Sequence, residues 1–133
     1  MFLKTFQKEE QEAFLALAKH LVAADGVLDE NEVQLMNQFL QEMGVMDDQV
    51  VIMTMGAALE ALGKSSMMVK KQIYIELVGL SLCDDSVDTN EGEVLKQIAS
   101  GLEIPEETAI KLKACVEDLL GVYNKIEELV SEE

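Results

Sequence analysis

Two short acidic segments of the chain place carboxylates at the same spacing. The first, AADGVLDENE, runs from Ala23 to Glu32, and the second, CDDSVDTNE, runs from Cys83 to Glu91. Carboxylate oxygens used without His or Cys ligands favour Ca²⁺, Mg²⁺ or Mn²⁺ over Zn²⁺. Divalent-cation binding is therefore the first hypothesis, and its candidate ligands are Asp25, Asp29, Glu32, Asp84, Asp85, Asp88 and Glu91.

A purely structural interpretation of the same residues stays open. Asp29 with Glu32, and Asp88 with Glu91, have the spacing of a capping box, in which both side chains bond amides of a helix N-terminus. Asp25 and its counterpart in the second segment would follow the C-terminus of a helix, where an anion is unfavourable without a compensating partner. That partner is either a helix N-terminus or a bound cation.

Neither segment is an EF-hand calcium loop. A loop starting at Asp25 would need oxygen ligands at its third and twelfth positions, where the chain has Val27 and Met36. A loop starting at Asp84 has Leu95 at the twelfth position. Any bound cation would therefore be held by carboxylates gathered from both segments.

The two segments belong to a longer repeat. Aligning Asp25 with Asp84 sets an offset of 59 residues, and apolar residues coincide at the same offset. The matched apolar pairs are Phe14 and Ile73, Leu21 and Leu80, Leu28 and Val87, Met36 and Leu95, Phe39 and Ile98, and Met43 and Leu102. This pattern predicts two copies of a helix, acidic loop, helix hairpin.

Helical spacing of apolar residues continues through the chain, which predicts an all-α fold. We expect residues 1–133 to form one compact bundle of about six to seven helices. One helix would run from an N-cap at Asp47 or Asp48 to about Leu62, and a central helix, apolar on nearly every side, would follow Ser65 or Ser66.

The last predicted helix carries a single apolar stripe, which either packs in the core or mediates self-association. Its members are Leu112, Val116, Leu119, Tyr123, Ile126 and Val130. Gly121 within this helix is expected to mark a kink or a division into two helices.

Composition limits the partners. The formal net charge is −16, with 26 acidic and 10 basic residues, which disfavours nucleic acid and anionic membrane surfaces. No apolar run reaches the length of a membrane span, and the N-terminus does not have the pattern of a signal peptide. Two Cys without a paired motif favour a reducing compartment, so we expect a cytoplasmic protein.

The segment LVAADGVLDENE, followed by a helix, a Gly and a second such unit, resembles the TerB-like domain of bacterial tellurite-resistance and stress-response proteins. The resemblance covers about Phe14 to Pro105, and its A-D-G-x-[IL]-x-x-x-E pattern is complete at Ala24, Asp25, Gly26, Leu28 and Glu32. In the second copy Asp85 replaces the Gly. The resemblance implies a non-enzymatic helical domain that binds metal ions through its acidic motifs and joins larger, often membrane-associated, protein assemblies.

Two functions follow as alternatives. One is a module that binds divalent cations and acts on a protein partner, and the other is an interaction module in which a Met-rich apolar groove takes a partner helix. Catalysis is not expected, because the single His20 lacks the Glu-x-x-His pattern of di-iron bundles and no phosphate-binding loop occurs.

Overall fold

The computed structural model describes residues 2–24, 30–44, 53–82 and 89–131, apart from the side chains of Asn31, Thr89 and Asn90. This part of the chain forms an N-terminal 3₁₀ turn and six α-helices. The helices are α1 (Lys8–Ala23), α2 (Glu30–Met43), α3 (Met55–Leu62), α4 (Met67–Ser81), α5 (Thr89–Gly101) and α6 (Glu106–Ser131). The predicted all-α bundle is confirmed.

The internal repeat is visible in the helix boundaries. Adding 59 to the bounds of α1 and α2 reproduces those of α4 and α5 to within one residue. Of the six matched apolar pairs, five lie in the described residues, whereas Leu28 and Val87 do not. Phe14, Leu21 and Phe39 are buried, as are their counterparts. The two hairpins therefore use the same positions to face the core.

The first helix of each hairpin is central. In α4, residues on nearly every side are buried, as its composition predicts. The helix α1 shows only an apolar stripe in the sequence, yet its six consecutive residues from Ala13 to Ala18 are all buried. The reason is that α1 is covered by α2, α3, α4 and α5, with α3 as its main neighbour.

Three of the four Phe residues form a cluster around Phe14 of α1. The Phe14 ring lies 5.1 Å from the Phe39 ring in an edge-to-face arrangement and 6.4 Å from the ring of Phe6. Edge-to-face pairs add favourable quadrupole interactions to apolar burial. This cluster joins the N-terminal turn, α1 and α2.

The connection between the hairpins differs from the predicted single helix. The side chain of Thr54 accepts a hydrogen bond from Ala57 N–H at 3.1 Å and caps α3. The helix thus has its own N-terminus there, and Asp47 and Asp48, the predicted caps, lie outside the described residues. The predicted end near Leu62 is confirmed, as is Ser66 as the cap of α4, bonded to Val69 N–H at 3.2 Å.

The final helix is continuous through Gly121, so the expected division into two helices is wrong. Its first half packs against α4 and α5, whereas every residue from 121 to 131 is exposed. Among the helices that the structure describes, none combines the length and apolar content needed to cross a membrane.

Two helix ends require a left-handed residue. Gly44 follows α2 with φ of 67°, a conformation that is typical of a Gly just after a helix. After α5 this role falls to Glu103, with φ of 61°, and Ile104 N–H bonds the carbonyl of Ala99 at 2.9 Å. The nearby Gly101 is the last residue of α5, and a Cβ at this position would lie 2.6 Å from Cδ1 of Leu59.

Exchanging residue types at these two positions should shift stability in opposite directions. Left-handed backbone costs a non-Gly residue about 1 kcal/mol, so Gly44→Ala should lower the free energy of unfolding and Glu103→Gly should raise it by roughly that amount. Gly121→Ala, in an ordinary helical conformation, serves as control and should stabilise. Urea unfolding measures all three, and a loss for Glu103→Gly would contradict the assignment.

The buried Tyr74 predicts a pH dependence. It is 5% exposed, and burial raises its pKa above the ordinary 10.0. Because the unfolded chain ionises this phenol first, its contribution to stability is complete below pH 10 and is lost as pH rises through the folded pKa. In Tyr123→Phe, Tyr74 is the sole tyrosine. Its absorbance titration should have a midpoint above 10.0 that falls in guanidinium chloride; an unchanged midpoint would contradict its burial.

Candidate functional site

Each acidic motif contributes one described candidate ligand, Glu32 or Glu91, and both of these carboxylates are buried. Since α2 begins at Glu30 and α5 at Thr89, Glu32 and Glu91 are each the third residue of their helix. Their side chains are only 2% and 3% exposed, and each has an interaction partner. Carboxylates are almost never buried to this degree unless paired. The repeat therefore preserves a specialised polar position at the start of its second helix.

The other five predicted ligands, Asp25, Asp29, Asp84, Asp85 and Asp88, lie outside the described residues. The starts of α2 and α5, one residue after Asp29 and Asp88, agree with the predicted helix N-termini. Within the described ranges, no group of three or more His, Cys, Asp or Glu side chains could hold a metal ion. The cation hypothesis has to be tested at the aspartates themselves.

The start of α1 provides a reference for a structural carboxylate. Oε1 of Glu10 accepts a hydrogen bond from Gln7 N–H at 2.8 Å, completing a capping box that the sequence analysis missed. Oε2 accepts from the Ser65 hydroxyl at 2.6 Å, which ties α1 to the connection between α3 and α4. Glu10 is also a third helical residue, yet it is only partly buried. Capping alone thus does not require the burial seen at Glu32 and Glu91.

A third buried carboxylate, Glu76, was also missed. It lies in the apolar run of α4 and is 7% exposed, at the position that Leu17 occupies in the first hairpin. Its Oε1 accepts a hydrogen bond from Phe2 N–H at 3.0 Å. A charged residue inside an apolar helical run was the available signal. This contact fastens the N-terminal turn to the second hairpin.

The single His and the Ser and Cys residues that could act as nucleophiles are the candidates for a catalytic pair, and the contacts of His20 and Ser81 are of a structural kind. His20 is exposed, and its Nε2 lies 3.3 Å from the carbonyl oxygen of Met53, a distance that fits a donated hydrogen bond. The hydroxyl of the buried Ser81 donates to the carbonyl of Val78 at 2.9 Å. Cys115 is exposed, and Cys83 lies outside the described residues. Neither contact places a base beside a nucleophile.

An open cleft of about 860 Å³ lies between the N-terminal end of α1 and the connection from α3 to α4. Its charged lining residues are Glu9, Glu10, Glu60 and Lys64. Of the two predicted ligands that the structure describes, neither Glu32 nor Glu91 lines it. Glu10 already accepts hydrogen bonds from Gln7 and Ser65 there, so its carboxylate has a structural role at the edge of the cleft.

The described methionines differ in exposure. Four of them, Met36, Met43, Met53 and Met55, pack partly buried against the core. Met67 and Met68 are exposed at the start of α4, whereas the neighbouring Lys70 is buried.

Comparison with protein-family models, curated proteins and solved structures finds no match to this chain.

Replacing the buried glutamates should cost more than replacing exposed neighbours on the same helices. Glu32→Ala and Glu91→Ala leave their partner groups without the carboxylate, for an expected loss of about 1–3 kcal/mol each. The controls Glu30→Ala and Glu93→Ala remove exposed side chains and should change stability by no more than about 0.5 kcal/mol. Urea unfolding compares each pair, and equal losses would show that the buried position has no special role.

Proposed function

We propose that this protein is a non-enzymatic helical module that binds a divalent cation at its two acidic motifs. In this proposal the ligands come from Asp25, Asp29 and Glu32 in the first hairpin and from Asp84, Asp85, Asp88 and Glu91 in the second. The cation is Ca²⁺, Mg²⁺ or Mn²⁺, since the donor atoms are carboxylate oxygens. The bound state would then be transmitted to a protein partner.

The observation that supports this proposal most directly is the matched burial of Glu32 and Glu91. Both carboxylates follow an acidic loop, both are third residues of their helix, and both are more buried than the capping Glu10. Carboxylates held close together repel one another, and a divalent cation relieves that repulsion. A chain of net charge −16 also attracts cations in general.

The resemblance to TerB-like domains supports the same proposal from the sequence. It suggests that the protein belongs to a bacterial stress-response assembly of the tellurite-resistance type and is located in the cytoplasm. Any attachment to a membrane would then be through its protein partners. The hairpins at an offset of 59 residues provide the two copies of the motif that this function needs.

Cation binding should raise thermal stability. A ligand that binds only the folded state adds about 2.7 kcal/mol at a hundred times its dissociation constant, which shifts the melting temperature by several degrees. We expect this shift with Ca²⁺, Mg²⁺ or Mn²⁺, against NaCl at equal ionic strength. It should be lost in Asp29→Asn with Asp88→Asn, because Asn caps a helix as well as Asp but lacks the charge.

The matched control is Glu117→Gln with Glu128→Gln, which removes two exposed carboxylates from α6 and should leave the shift intact. Asp25→Asn with Asp84→Asn tests the leading aspartates in the same way. If no cation shifts the melting temperature of the original chain, or if the control loses the shift equally, the cation proposal is wrong.

A second candidate is a protein-interaction module, in which the acids cap helices and keep the chain soluble. The exposed apolar residues on the second half of α6 favour it. The two candidates differ in the melting experiment, since an interaction module without a cation site would keep its fold and show no cation-dependent shift.

A further inference from the structure

The second half of α6 has an exposed face rich in large apolar side chains. We call it the α6 stripe, and it consists of Leu119, Val122, Tyr123, Ile126, Leu129 and Val130. The exposed fractions range from 39% for Leu119 to 78% for Val130. Contiguous apolar surface of this kind is typical of interaction sites.

The spacing along the helix indicates what covers the stripe. Apolar residues of α6 follow alternating steps of four and three, at Leu112, Val116, Leu119, Tyr123, Ile126 and Val130. This is the heptad pattern of positions a and d, in which one helix packs along another helix. Leu112 and Val116 already use it inside the bundle, where Val116 is 7% exposed, and the stripe continues the same seam beyond the bundle.

We propose that the α6 stripe binds the α6 stripe of a second copy of this chain, in an antiparallel pair. A helix continuing a heptad seam needs a helix with a matching seam, and another copy supplies one. From the exposed fractions, two stripes would bury on the order of 1,200 Å² in total, the lower limit of a specific interface. The pair should therefore form at micromolar concentrations.

An antiparallel pair can be registered with the exposed residues alone. Leu119 then meets Val130 of the partner subunit, and Tyr123 meets the partner's Ile126. On the flank, Val122 meets the partner's Leu129, which gives these two exposed side chains an apolar neighbour.

Charge favours the same orientation. Each copy has a net charge of −16 and repels the other at long range. An antiparallel pair puts the two bundles at opposite ends of the paired helices, whereas a parallel pair would put them side by side. Added salt screens the remaining repulsion. Pairing should thus be stronger at high salt than at low salt, as expected for an apolar contact between like-charged molecules.

Sedimentation analysis of the full chain, with EDTA present, tests the pairing without involving any cation site. At about 0.15 M NaCl, the mass should rise from the 14.7 kDa of one chain toward twice that value between about 1 and 200 µM. Tyr123→Glu with Ile126→Glu should remain monomeric. Gly121→Glu with Asn124→Glu adds the same charge to exposed positions on the opposite side of α6 and should still pair.

A monomeric original chain at all these concentrations, with or without high salt, overturns the proposal. So does pairing that survives Tyr123→Glu with Ile126→Glu, or that is lost equally in the control. Circular dichroism of each variant verifies that the helices persist, so that loss of pairing is separated from loss of fold.

Cysteine crosslinking tests the orientation. In a chain carrying Cys83→Ala and Cys115→Ala, Leu119→Cys is mixed with Val130→Cys under oxidising conditions. An antiparallel pair should give the mixed disulfide, identified by its mass, because these positions meet across the interface. Disulfides that form within each variant alone, and not between the two, would show a parallel pair and overturn the proposed register.

Discussion

The fold depends on burying α1 on nearly all its sides. Six successive residues from Ala13 to Ala18 are removed from water, and a single neighbouring helix could cover only one face. The hairpin partner α2, the connecting helix α3 and both helices of the second hairpin are therefore all required. Phe14 stands at the centre of this arrangement because its ring contacts both Phe6 and Phe39. The four helices that follow α1 in the chain are thus the ones that enclose it.

The two hairpins of the repeat share the same buried positions but pack against different neighbours. Both hairpins bury the same apolar positions and keep a buried glutamate at the third residue of the second helix. They differ where each meets its own neighbours. Leu17 in the first hairpin is replaced by Glu76 in the second, where a backbone N–H of the N-terminal turn needs an acceptor. The hairpin geometry is thus preserved while individual positions adapt to the asymmetry of the bundle.

Charge and apolar surface are distributed differently along this chain. Long-range repulsion from a net charge of −16 keeps molecules apart, whereas apolar contact acts only at close range. A self-association surface on such a protein has to lie away from the centre of charge. The second half of α6, exposed beyond its contacts with α4 and α5, satisfies that requirement. The acidic motifs, in turn, place negative charge where a cation or a helix N-terminus could compensate it.

The sequence by itself determined the helical class, the repeat and most helix ends. Apolar spacing, caps such as Ser66 and the left-handed Gly44 are local signals, and local physics decides them. The enclosure of α1, the left-handed conformation of Glu103 and the burial of Glu32, Glu76 and Glu91 were decided only by tertiary structure. Glu32 and Glu91 could be named as candidate ligands from their spacing, but their burial could not be predicted, because exposure depends on residues distant in sequence. The same reason applies to α6. One continuous heptad pattern runs along this helix, and only the size of the bundle decides at which residue the helix stops packing against the core.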